Sequence, residues 1–233
     1  MSYRYVNETA GVEILNGLLG QMKRTCWFGA VSFEDRCVAS VLWLQRNGLR
    51  LHSAIALNYP TEVLPQAEDK RRRQANRKIF QSAAKSVFSD GWREITLEPY
   101  AFQSIQTMVA EAVKAQKIDF AVFDVTCMTK IHALGLAATL ATTLEGLSWV
   151  IAYSSPENYG NLDSTSRRLG WKDIIVAPIA ETAVLLYEGH SRGVIVAGHE
   201  AERLIVALAE IEPSGGVVVI GESPKRPDVG RLS

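Results

Sequence analysis

Apolar and polar positions divide this chain into two kinds of segment. Short, largely apolar runs recur at "CWFGAVSF" (26–33), "LRLHSAIALNY" (49–59), "REITLEP" (93–99), "DFAVFDVT" (119–126) and "SWVIAYSS" (148–155). Between them lie longer stretches whose apolar residues return every third or fourth position. These are "AGVEILNGLLGQM" (10–22), "EDRCVASVLWLQRN" (34–47), residues 65–90, "SIQTMVAEAVKAQK" (104–117) and "KIHALGLAATLATTL" (130–144). The first spacing predicts strands and the second predicts helices. Stretch 65–90 opens with Pro65, a residue suited to a helix start. Strands that are apolar on both faces and alternate with helices predict an α/β fold, Rossmann-like, with a mostly parallel sheet and helices on both faces.

After Pro156 the pattern loosens. "ENYGNLDSTSRRLGW" (157–171) has turn composition, and 172–190 has room for one or two further strands. Residues 192–224 then read as a fresh strand–helix–strand unit, the start of a second α/β half. The expected organisation is a Rossmann-like domain over 1–190 and a C-terminal unit with a tail over 191–233, separate from it or continuous with it. The ending "KRPDVGRLS" is what a shortened second half would leave.

Composition narrows the class without naming a function. The 233 residues are 47 % apolar and 21 % charged, an ordinary globular balance. Twenty-five basic residues offset 25 acidic ones, so no long-range field favours nucleic acid or membrane. No apolar run has the length of a membrane span, and "MSYRYVNETAGVE" lacks a signal core; a cytoplasmic protein is expected. Three Cys and four His are scattered, without metal-ligand spacing, so no metal and no cofactor is expected. The densest basic run, "KRRRQANRK" (70–78), reads as a charged helix face, with phosphate contact as its second meaning.

In a parallel sheet, ligands bind beyond the carboxyl ends of the strands. Several polar groups fall there. The turn "DVTCMTK" contributes Asp124, Thr126, Cys127, Thr129 and Lys130. Thr126 or Thr129 can cap the following helix, whose free N–H groups and Lys130 suit a phosphate, while Asp124 suits a sugar hydroxyl. The plainer reading is that these groups only satisfy backbone at a strand–helix junction. "SFEDRC" contributes Ser32, Glu34 and Arg36, which read either as helix-start electrostatics or as contacts to an anion. Tyr153, Pro156 and Tyr159 follow the "WVIAY" strand, the tyrosines being suited to stacking on a base. Cys127 would be a nucleophile only with a base beside it, and none is identified. His132 is expected to pack inside its helix. Neither GxxxxGK[ST] nor GxGxxG occurs.

"SFEDRC", "FDVTCMTK", "AYSSPENYG" and "GHEAERLIVALAEIEPSGGVVVIG" occur in this order over residues 24–224. The set resembles an uncharacterised bacterial Rossmann-like family with S-[FY]-E-x-R, D-[IV]-[ST]-x-[MF]-[TP]-[KR] and Y-x-x-P-x-x-Y elements. That family is similar in layout to ligand-sensing domains of prokaryotic antiviral systems, which bind cyclic oligonucleotides. The resemblance implies a site at Glu34, Arg36, Asp124, Thr126, Thr129, Lys130, Pro156 and Tyr159. It implies a sensor or regulatory subunit of antiphage defence that binds a nucleotide-like small molecule and works with a protein partner or as a homo-oligomer. Two alternatives stay open: a nucleotide or N-glycosidic hydrolase using Glu34 or Asp124, and a non-catalytic assembly subunit.

Overall fold

The computed structural model describes residues 8–60, 67–99, 101–142, 146–154, 192–197 and 215–220. The helices are α1 (Glu8–Leu19), α2 (Ala39–Arg46), α3 (Ala67–Val87), α4 (Phe102–Gln116) and α5 (Lys130–Thr142). They alternate with strands β1 (Thr25–Ala30), β2 (Ser53–Asn58), β3 (Trp92–Thr96), β4 (Phe120–Asp124) and β5 (Ser148–Ala152). The five strands form one sheet in the order β3-β2-β1-β4-β5. Every neighbouring pair is parallel. The chain runs outward from β1 through β2 to β3, then returns to place β4 on the other side of β1. Strand order therefore reverses between β1 and β4.

The apolar strand residues feed two separate cores, as a two-sided sheet requires. Trp27, Ala54, Ala56, Phe120 and Val122 join Leu15, Val41, Leu44, Phe80 and Ala84 of α1, α2 and α3. Cys26, Phe28, Ile55, Leu57, Ala121 and Phe123 join Ile105, Met108, Val109, Leu136 and Leu140 of α4 and α5. Helices thus cover both faces. Phe28 and Phe123 stack across the β1–β4 boundary with ring centres 4.9 Å apart. Trp27 sits against Phe80 and Phe88, at 5.5 and 6.3 Å. Burying each such side chain contributes about 1.5–3 kcal/mol relative to exposure, and fixes the two strands that meet at the reversal.

Two local departures from periodicity have visible causes. The helix expected over 34–47 is a 3₁₀ turn at Asp35–Val38 followed by α2. No side chain caps that turn. Instead Asn76 of α3 donates through Nδ2 to the carbonyls of Ser32 and Glu34, both at 3.1 Å, and holds the preceding loop in place. The helix expected over 65–90 stops at Val87, because the chain reverses through Gly91 at φ +82°, a region open chiefly to glycine. Three arginines of the basic run on α3 bond back to their own fold, while Lys70, Arg71 and Lys78 are exposed. Arg72 pairs with Asp35 at 3.2 Å, Arg77 donates to Glu94, and Arg73 donates to Asn58 at 3.1 Å.

The chain divides into two compact units, Met1–Glu157 and Asn158–Ser233. In the second, β6 (Arg192–Ala197) and β7 (Gly215–Ile220) pair in parallel. The helix expected between them, the strands expected in 172–190 and the C-terminal tail lie outside the described residues. Among the described residues, no helix is long and apolar enough to cross a membrane.

Candidate functional site

Asp124 ends β4 at the reversal point, in register with Gly29 of β1 and Ala152 of β5. With strands on both sides it is only 2 % exposed. A carboxyl so placed needs donors. The Ser40 hydroxyl, from the first turn of α2, donates to Oδ2. The Thr126 N–H donates to Oδ1 at 2.9 Å. Trp27 Nε1–H donates in turn to the Ser40 hydroxyl at 3.1 Å. Burial pushes the Asp124 pKa up. The bonds from Ser40 and Thr126 and the nearby Arg36 charge pull against this without cancelling it.

Around this buried carboxyl, three loop ends are tied together. The Thr126 hydroxyl accepts from the Ser154 N–H at 2.9 Å, joining the loop after β4 to the loop after β5. Arg36 Nε donates to Glu34 at 2.7 Å. Its Nη1 donates to the Tyr153 hydroxyl at 3.3 Å and to the Ser154 carbonyl at 3.2 Å. The guanidinium carbon also lies 5.8 Å from the centre of the Tyr153 ring. Burial opposes the Arg36 charge, but the bonds to Glu34 and Tyr153 outweigh it and raise the pKa further. Ser32 takes part through its carbonyl, which accepts from Asn76 and, at 3.4 Å, from the Cys37 thiol. Tyr153, at 61 % exposure, is the outermost of the group.

Ser32, Glu34, Arg36, Asp124, Thr126 and Tyr153 therefore share one rim, as the strand-end argument expects. Thr129 faces elsewhere. Its hydroxyl donates to the Pro99 carbonyl at 2.9 Å and accepts from the His132 N–H at 3.2 Å, which makes it the N-cap of α5. Its own N–H donates to the Tyr59 oxygen at 3.2 Å. The Tyr59 hydroxyl then lies 3.0 Å from His132 Nδ1. His132 is wholly buried, and among the described residues its Nε2 has no hydrogen-bond partner. Burial lowers the His132 pKa, against the pull of the Ala101 and Glu98 carbonyls, and raises that of Tyr59. Lys130 is exposed at the start of α5. Pro156 and Tyr159 lie outside the described residues.

The thiols beside the rim are held in the protonated form. Burial first, then the nearby Glu34 and Cys37, drive the Cys127 pKa well above the ordinary thiol range, so it stays protonated at neutral pH. Cys37 is likewise pushed up to about 11, chiefly by burial. Among the described residues no three His, Cys, Asp or Glu side chains gather into a metal-binding group. Three contributors escape a reading of the sequence. Ser40 is an ordinary helix serine, Asn76 hides within a basic run, and Trp27 looks like simple core. Tyr59 stands at a strand end and could be suspected from that position alone. Among the described residues, one concave region of about 550 Å³ lies at the amino ends of β1, β2 and β3, lined by Arg24, His52 and Arg93 among others, and another of about 600 Å³ lies along α4 beside Arg93 and Ile95.

No family model and no curated protein matches this chain. A solved structure described as the crystal structure of a hypothetical protein, PH0823, is similar to it at 18 % identity and a TM-score of 0.33, over 58 % of this chain and 99 % of that one.

Proposed function

We propose that the rim over the β1–β4 reversal binds a nucleotide-type ligand, and that the domain is a sensor or regulatory unit rather than a hydrolase. One observation carries this reading: Tyr153 is exposed at the rim while its ring and hydroxyl are both engaged by the Arg36 guanidinium. An aromatic ring fixed from within and open outward is a ready platform for a base, and such stacking contributes roughly 1–3 kcal/mol by alanine substitution. Lys130, at the start of α5, supplies a charge suited to phosphate. The buried Asp124 holds the loops and does not touch the ligand.

The commitments of the two carboxylates weigh against hydrolysis. Asp124 accepts from Ser40 and Thr126, and Glu34 accepts from Arg36 at 2.7 Å. Asp124 is buried away from the rim surface, and one oxygen of Glu34 is engaged by the guanidinium. The antiphage role and the cyclic oligonucleotides implied by the resemblance are part of the same proposal.

Calorimetric titration with mononucleotides and a cyclic dinucleotide tests it. Saturable binding is expected, weakened about 5- to 150-fold in Tyr153→Ala and measurably weakened in Lys130→Ala, with the circular dichroism of both unchanged. Binding that survives both substitutions overturns the assignment. Turnover of NAD or nucleotides that disappears in Glu34→Gln would establish the hydrolase instead.

A further inference from the structure

The concave region at the opposite end of the sheet has its own chemistry. Its lining includes Arg24, Arg93 and Lys117 against the single carboxylate of Asp90. Arg24 is paired with Asp90 at 3.3 Å. For Arg93 and Lys117 no ion pair occurs among the described residues. The nearby Asp119 is already occupied, since its two oxygens accept from the N–H groups of Lys23 and Arg24 at 2.9 and 3.0 Å.

Two further observations point the same way. His52 Nδ1 accepts from the Thr25 N–H at 3.2 Å. A backbone N–H can only donate, so the ring proton sits on Nε2, and His52 presents a donor to the lining. Gln116 accepts through Oε1 from Ser53 at 3.1 Å, which leaves its amide N–H₂ as a donor as well. Among the described residues, Lys117 is also the one non-glycine residue with a positive φ, +53°, at the C-cap of α4. Glycine is the residue that position favours. A lysine held there against backbone preference is the kind of strain found where a side chain is needed.

We propose that this depression is a second ligand site, separate from the strand-end rim, that takes a compact polyanion of the phosphate-ester or pyrophosphate class. Arg93 and Lys117 provide the charge, and His52 and Gln116 provide directed N–H donors. The site shares no residue with the rim, so each can fail without the other.

The probe is inorganic pyrophosphate, followed by calorimetry and by amide chemical shifts on the whole chain at fixed ionic strength. Saturable binding is expected, with shifts centred on 24, 52, 93 and 117. Removing one charge-assisted contact should weaken it about tenfold in Arg93→Ala. Lys117→Gly should weaken it too, while raising the denaturant midpoint, and Lys130→Ala, which removes the phosphate-binding charge proposed for the rim, should leave it unchanged. Equal loss in Lys130→Ala would move the anion to the rim and overturn the proposal. So would the absence of saturation, or binding that replacement of Arg93 and Lys117 leaves intact.

Discussion

The Asp124 carboxyl sits under opposed influences: two hydrogen bonds favour its charge, and burial disfavours it more strongly. Its folded pKa lies above the unfolded value of 3.8. The stability it contributes is therefore complete below that pH and declines as pH rises through the folded pKa. Asp124→Asn removes this slope. In denaturant titrations at pH 5 and pH 8, the Asn variant should gain on the native chain as pH rises; a constant difference would refute the linkage. His132 has the reverse sign. Its folded pKa is depressed below 6.5, so its contribution is present above that value and lost as pH falls. In His132→Gln the loss of stability between pH 7 and pH 5 should be smaller, measured the same way.

At the scale of elements, α4 and α5 approach closely where α5 has Gly135. A methyl group there would lie 2.6 Å from Ile105 Cγ2 and 2.9 Å from the Phe102 carbonyl oxygen. Gly135→Ala should therefore separate the two helices and destabilise the fold by about 1–3 kcal/mol, read from the denaturation midpoint. The helix pair itself is plain in the sequence, because its apolar residues recur at helical spacing and its strands are short apolar runs. The closeness is not, since a glycine within an Ala/Leu-rich stretch carries no mark of what it faces. The same limit governs the site. Asp124, Thr126, Glu34 and Arg36 could be placed on one rim because strand ends converge in a parallel sheet. Their partners could not, because the choice of Ser40 for Asp124, or Ser154 for Arg36, depends on contacts 84 and 118 residues apart. For the same reason the sequence offers Thr129 both as a rim residue and as a helix cap, and only the contacts in space select the cap.

At the scale of the molecule, both cores and all five strands of the β3-β2-β1-β4-β5 sheet fall within Met1–Glu157. A fragment of residues 1–157 should therefore unfold in one cooperative urea transition, with circular dichroism and tryptophan emission coincident. A broad, non-coincident transition would mean that residues 158–233 complete this fold. Tryptophan emission offers something more. Trp27 is wholly buried, and its indole N–H leads through the Ser40 hydroxyl to Asp124. Any event at the rim that alters the proton or the orientation of that carboxyl alters the polarity felt by the indole. Of the chain's five tryptophans, Trp27 is thus a fluorophore wired to Asp124 from beneath, and its part of the emission would follow the state of that carboxyl without an attached label.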